Sequence, residues 1–503
     1  MTKHTCLPAV EKWGVQEVVC PGFADGNPFR DYEMHAEFTS DKETVSVEGF
    51  YDGGDRYIAR FMPSHEGTYT YRVWGSFSSE TYTGTFTVTA PAESNHGPVH
   101  VHNTYHFAYA DGTKYVPMGT TCYAWIHQPE DMREQTLKTL KNSPFNKIRM
   151  CVFPKHYDYN FAEPDGYPFP AKNEFSFDIN RDNFWKFNAR NTPCKWDFAA
   201  YNVEFFRKLD DMVLRLMQMG IEADIILFHP YDRWGFANMT QQEDAAYLRY
   251  VIARLGAYRN VWWSLANEWD FMDTKTADDW ENIGQTIAAN DPYQRLLSNH
   301  NGRDLFDYHK EYVTHCCVQR QGHLPIEDIA KWRETYQKPV VVDEMCYEGN
   351  LCHGWGNIDA EELVRRYWLC TVYGGYGGHG ETFAGDVLWW SHGGILHGIS
   401  AVRLDFLLKV VQEVPGGGLE PVCGEWGLQY AAAQQPDGKE FRLYYYDLQT
   451  PAYMEYNLPE DKQYAVELID TWNMTIKDLG VHSGKFRITM PQRRYMAVRI
   501  TGK

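Results

Sequence analysis

Val261-Trp-Trp-Ser-Leu-Ala-Asn-Glu-Trp269 is an apolar run that ends on a carboxylate, and Lys338-Pro-Val-Val-Val-Asp-Glu-Met345 repeats the design further along the chain. Neither run alternates apolar with polar residues, so neither has a solvent face. Short runs of this kind, rich in β-branched and aromatic residues, read as strands buried on both sides, as in a parallel sheet. Each closes on a glutamate, Glu268 and Glu344, where the chain leaves the strand for a loop.

Working outward, six more segments have the same character: Tyr115 to Cys122, Asn146 to Phe153, Ala223 to Phe228, Arg295 to Ser298, Val313 to Val318, and a glycine-rich stretch near Tyr373 to Gly380. Helical stripes fall between them. Phe205, Leu209, Met212, Val213, Leu216 and Met217 form one stripe before a stop at Gly220, and Tyr247, Leu248, Val251, Ile252 and Leu255 form another. Strands alternating with helices imply βαβ units, and eight strands predict an α/β fold of the (β/α)8 TIM-barrel type over residues 100–410.

Two all-β modules flank this core. Residues 1–92 alternate apolar and polar positions, as in Gly67-Thr-Tyr-Thr-Tyr-Arg-Val-Trp74 and Thr83-Gly-Thr-Phe-Thr-Val-Thr89, which predicts an immunoglobulin-like β-sandwich. Pro91 to Pro98 reads as a linker. Pro415-Gly-Gly-Gly418 marks a second boundary, and residues 415–503 predict a small β-sandwich. The segment from Lys155 to Phe198 after the second barrel strand is long and aromatic, with Tyr157, Tyr159, Phe161, Tyr167, Phe169, Phe184 and Trp185. A long loop at a barrel's C-terminal face is expected to be functional.

Composition narrows the partners. A net charge of −19 over 503 residues argues against nucleic acid and anionic membranes, which require basic patches. No stretch approaches the length of a membrane span, and the first residues lack the apolar core of a signal peptide. Eleven cysteines, several inside apolar runs (Cys122, Cys151, Cys370) and none in a CxxC pair, read as reduced thiols, so the expected compartment is the cytoplasm. Homo-oligomerisation stays open. An aromatic content of 16% is more than cores alone call for, and aromatic faces also suit the C–H side of a sugar ring.

Counted from Tyr115, Glu268 closes the fourth strand and Glu344 the seventh. In this register Asn267-Glu268 and Asp343-Glu344 resemble the paired motifs of the clan A, or 4/7, retaining glycoside hydrolases. The resemblance implies Glu268 as acid/base and Glu344 as nucleophile. It also implies that Arg149 lies beside the nucleophile, that Asn267 binds the sugar 2-hydroxyl, and that Trp389 and Trp390 form a floor under the ring. Three longer strings, Tyr115-Val-Pro-Met-Gly-Thr-Thr-Cys-Tyr-Ala-Trp125, Ile225-Ile-Leu-Phe-His-Pro-Tyr-Asp-Arg-Trp-Gly235 and Gly377-Gly-His-Gly-Glu-Thr382, are similar to bacterial glycosidases that join a DUF5060-like N-terminal sandwich, a DUF4038-like barrel and a DUF5605-like C-terminal domain. Those families act on several sugars, pentofuranosides among them. They imply a carbohydrate substrate and no cofactor.

His229, His300, Gln319, His379 and Glu381 fall at or just past strand ends and are expected to form a polar ring for sugar hydroxyls, with Trp125, Trp234 and Trp269 as sugar platforms. The bland readings stand beside these. A lone Asn-Glu is common, buried polar groups are usually satisfied structurally, and tryptophans pack loops. Asp343 should point away from Glu344 on an extended strand. One rival is a metal-dependent barrel hydrolase built on His100-Val-His102, but two histidines leave a catalytic zinc site incomplete, and Tyr105 to Val116 reads as a hairpin with an Asp-Gly turn. Another is a non-catalytic carbohydrate-binding protein, against which both glutamates are retained.

Overall fold

Strand pairing builds the molecule around eight parallel strands: β1 (Gly119–Thr121), β2 (Lys147–Cys151), β3 (Glu222–Phe228), β4 (Val261–Ala266), β5 (Leu297–Ser298), β6 (Cys316–Gln319), β7 (Val340–Glu344) and β8 (Tyr376–His379). The structure, a computed structural model, describes residues 4–155, 163–172, 196–322, 326–385, 388–423, 429–434 and 440–503. Hydrogen-bonded order runs β5-β4-β3-β2-β1-β8-β7-β6, each ladder parallel. A parallel bridge from His300 to Cys317 and the Thr314 N–H to Leu297 carbonyl bond of 2.8 Å bring the two edges together and close the barrel.

Helices α1 (Glu130–Lys141), α2 (Val203–Gln218), α3 (Gln241–Leu255), α4 (Ala277–Asn290), α5 (Ile326–Tyr336) and α6 (Ala360–Val372) connect the strands. The two stripes read from the sequence are the buried faces of α2 and α3. Asn202 caps α2, and Thr240 with Glu243 forms a capping box on α3, which satisfies N–H groups that a helix start leaves open. No helix separates Ser298 from Cys316. None among the described residues is long and apolar enough to cross a membrane.

The first strand is shorter than expected. Lys114–Tyr115 pairs with His106–Tyr109 in an antiparallel hairpin, and Pro117, which has no N–H to give a ladder, separates that hairpin from β1. Gly112 takes φ 89° in the hairpin's turn. With Val99–His102 the hairpin forms a small sheet whose Phe107 and Tyr115 pack on Trp262, Leu296 and Val341, stopping the barrel's N-terminal end. His100 and His102 lie on that sheet with ring centroids 6.4 Å apart, far from the barrel's mouth, and belong to no three-ligand group among the described residues.

The flanking regions are β-rich as expected. Sheets of four and five strands sandwich a core containing Phe38, Phe61, Tyr69 and Phe86 in the N-terminal region. A six-stranded and a two-stranded sheet enclose Tyr446, Tyr456, Val466 and Ile488 in the C-terminal one. Cys122, Cys151 and Cys370 are buried free thiols.

Buried charge fills part of the barrel itself. Lys147 Nζ lies 2.9 Å from Asp224 and 2.7 Å from Asp343, and Arg149 lies 3.5 Å and 3.7 Å from the same two carboxylates. Charges this deep persist only when paired.

Candidate active site

At the C-terminal ends of the strands the ladder breaks at Glu268. The Asn267 N–H still bonds the Phe228 carbonyl on one side and the Trp269 N–H bonds that of His300 on the other, both at 3.0 Å. Glu268 between them takes the left-handed conformation, φ 52° and ψ 56°. A glutamate held there costs about 1 kcal/mol, a strain that collects at functional sites. Cys346, two residues past Glu344, is left-handed as well, with φ 70°.

A chain of hydrogen bonds and a second chain of polar contacts join the glutamates. In one, Asn267 Nδ2 donates to Glu268 Oε2 at 3.0 Å, and the Tyr123 hydroxyl meets both Asn267 Oδ1, at 2.9 Å, and Glu344 Oε1. In the other, Gln319 Nε2 donates to Glu268 Oε1 at 3.2 Å, and His300 Nε2 lies 3.3 Å from Gln319 Oε1 and 3.5 Å from Glu344 Oε1. The structure thus brings Glu268, Glu344, Asn267, His300 and Gln319 together. Beside Glu268 opens a cavity of about 650 Å³, lined by Tyr231, Phe271, Arg303, Gln319 and Arg320 among others.

Burial sets the electrostatics. It pushes Glu344 up to about 8, with the Tyr347 hydroxyl opposing the shift. Glu268 is also raised by burial, opposed by the charge of Lys155 and by hydrogen bonds from Tyr231 and Gln319. His300 is driven well below its ordinary range by burial and by Arg149, so it stays neutral. Asp343 moves the other way. Although burial disfavours its charge, Lys147 and Arg149 hold it well below the usual carboxylate range.

An aromatic wall faces this network: Tyr123, Tyr347 and Trp390 pack with Cys151 and Ile226, and Trp355 lies against them. Of these, Tyr123 and Tyr347 escape a sequence reading keyed to carboxylates and tryptophans, as do Lys155 and Tyr231. Tyr123 and Tyr231 stand two or three residues past a strand end inside motifs already distinctive, and that is the signal that points to them.

Several expected site residues lie elsewhere. Trp389 is buried in the barrel–helix core with Nε1 donating to Thr120 Oγ1 at 2.8 Å, so of the Trp389-Trp390 pair only Trp390 belongs to the wall. Trp125 is fully buried, its Nε1 donating to the Arg133 carbonyl at 3.4 Å, and Trp234 packs against Tyr167 and receives Trp196 Nε1 on its carbonyl. Arg149 pairs with Asp343, Asp224 and, at 3.1 Å, His300 Nδ1, in place of Glu344. His229 is turned to the Phe153 carbonyl at 3.2 Å. Trp269 is half-buried against Phe306 at the rim. Of the loop aromatics, Tyr167 and Phe169 pack against Trp196 and Phe236, whereas Tyr157, Tyr159, Phe161, Phe184 and Trp185 lie outside the described residues.

His379 and Glu381 sit behind the barrel wall and not in a polar ring. His379 packs tilted against Phe145, ring centroids 4.4 Å apart, and shares Thr120 Oγ1 at 2.9 Å with Trp389. With Glu348 it and Glu381 form the one group among the described residues whose donor atoms could together hold a metal ion. The carboxylates are already engaged: Glu381 accepts the N–H groups of His397 and Gly398, and Glu348 those of Ile399 and Ser400, at 2.7 to 3.1 Å. Four successive amides clasped this way make the cluster a brace for the turn entering the helix Ala401–Gln412.

A family model described as "Apiosidase-like, catalytic domain" matches residues 101–402, and DUF5060 and DUF5605, both domains of unknown function, match residues 9–75 and 426–501. A crystal structure of a candidate glycoside hydrolase from Bacteroides vulgatus is 36% identical, covers 99% of this chain and 100% of its own, and superposes with a TM-score of 0.90. A family 5 glycoside hydrolase from the same organism is 14% identical over 81% of this chain and 93% of its own, with a TM-score of 0.59, a likeness of fold alone. Comparison with curated proteins gives no match.

Proposed function

Because the chain belongs to the apiosidase-like family and is a glycoside hydrolase, we propose that it cleaves its glycoside by double displacement, with Glu344 as nucleophile and Glu268 as acid/base. Glu344 attacks the anomeric carbon as Glu268 protonates the departing oxygen. Glu268 then takes a proton from water, which hydrolyses the glycosyl-enzyme and returns the original anomeric configuration. Asn267 serves the sugar 2-hydroxyl and Trp390 its apolar face. The leaving group departs into the cavity beside Glu268.

The observation that carries this reading is the pair of glutamates at the ends of β4 and β7, joined through Asn267–Tyr123 and Gln319–His300. The substrate we infer is a short plant- or microbe-derived glycoside with a terminal pentofuranose, cleaved from its end, a class that the name of the matching model supports. A screen of nitrophenyl furanosides and pyranosides, with the first-formed anomer followed by NMR, tests both halves. Retained configuration from a furanoside is the expected outcome, and an inverted first product contradicts the mechanism.

A further inference from the structure

Lys155 has no part in the reaction as written, yet it lies at the centre of the site. The residue is 2% exposed. Its Nζ is 3.4 Å from the centre of the Tyr123 ring, 4.4 Å from that of Tyr231 and 5.7 Å from a ring of Trp390. A lysine whose role is packing lays its stem along apolar surface and lifts its ammonium into water. Here the ammonium itself is buried, against π faces, where desolvation strengthens cation–π attraction.

The two nearer rings are the ones that touch the glutamates. The Tyr123 hydroxyl bonds Glu344 and Asn267, and the Tyr231 hydroxyl reaches Glu268. A cation on the face of a phenol draws electron density from the ring and its oxygen, which makes the O–H a stronger donor. Stronger donation to a carboxylate favours its charged form. One ammonium therefore stands behind both phenols, and each phenol stands behind one reacting carboxylate.

We propose that Lys155 is a positioning residue that acts through Tyr123 and Tyr231, holding and polarising the two phenols so that each donates to one of the two glutamates. The proposal rests on the assignment of Glu268 and Glu344 above. Around Lys155, β2 contributes Arg149 and Cys151, the loop after β3 contributes His229 and Tyr231, the loop after β4 contributes Glu268, and β1 leads into Tyr123. Burial pushes the Cys151 thiol up to about 12 and His229 down to about 3, so both stay neutral at intermediate pH. Burial also lowers Lys155 to about 8. The amine is accordingly charged below that value, and its influence fades as the pH rises through it.

The test pairs K155M, which keeps the stem and removes the charge, with K155R, which keeps a cation. K155Q replaces K155M if that variant does not fold. K155M should lower kcat by roughly tenfold to a hundredfold and raise the acid limb of the kcat/KM profile by about one pH unit, with KM changed less than about threefold. K155R should restore most of kcat and the original limb. The K155M/Y123F double variant should lose little beyond the worse single variant, because both changes remove the same contact. An unmoved limb, an effect confined to KM, or full additivity with Y123F would overturn the proposal. Labelling of wild-type Glu344 by a slow-reacting activated glycoside separates the two readings: a label elsewhere defeats the reaction assigned above, whereas a label on Glu344 with an unmoved limb in K155M defeats only the role of Lys155.

Discussion

Asp343 and Glu344 are consecutive residues, both buried, whose proton affinities move in opposite directions. Asp343 turns into the barrel, where Lys147 at 2.7 Å and Arg149 at 3.7 Å hold its proton off. Glu344 turns to the mouth, where its partners are a tyrosine hydroxyl and a neutral imidazole, and burial lifts it to about 8. Inside the barrel, buried charge is matched by buried charge and contributes to holding the fold. At the mouth, burial outweighs what the neighbouring hydroxyls and the charge of Lys155 offset, so both glutamates hold their protons more tightly than usual, the condition that moves a carboxylate's titration toward neutral pH.

The contrast predicts a division of effects. Glu344→Gln and Glu268→Gln should each reduce kcat/KM by three or more orders of magnitude while the denaturation midpoint stays close to wild type. Wild-type-like turnover in either would abolish the distinction. Lys147→Met should do the reverse: leaving Asp224 and Asp343 buried without their ammonium costs about 3–5 kcal/mol, read in urea unfolding. Trp389→Ala should likewise cost about 3–5 kcal/mol through lost core packing, whereas Trp390→Ala should act chiefly on KM.

Smaller shifts sharpen the comparison with pH. Because Glu344 must be ionised to attack and burial raises its pKa, kcat/KM should climb with pH along a limb centred well above 4.5, and fall again as Glu268 loses its proton. Tyr123→Phe removes a donor to the charged form and should move that limb up by about one unit. For Asp343 the folded state holds the lower pKa, so its stabilisation is present above the ordinary aspartate range and declines as the pH falls toward the folded value. Unfolding free energy should therefore drop in acid, and less so in Asp343→Asn.

What the sequence disclosed follows from the length scale of each feature. Strands β4 and β7 stand out because burial on both faces keeps several consecutive positions largely apolar, and Glu268 and Glu344 stand out because they end those runs; β1 and β2, which bury Thr120, Thr121, Lys147 and Arg149, are less distinct. Orientation behind the strand end is harder to read. Trp389 and Trp390 are adjacent, and only the turn of the short helix Trp389–His392 decides which one reaches the mouth. His379 and Glu381 follow a strand as a site residue would, but the strand's alternation sends His379 outward to Phe145 and Thr120. Arg149 is drawn to Asp343 and Asp224, partners from two other strands that only the closed barrel brings near. Lys155 gives no sign in one dimension, since its aromatic cage is assembled from the loops after β1, β3 and β8.

The most direct test of the account is to trap the reaction halfway. The enzyme is incubated with a slow-reacting activated glycoside of its best substrate, then digested and its peptides weighed. The account predicts one covalent sugar per chain, carried on Glu344 and lost in Glu344→Gln. A sugar on any other residue would contradict it.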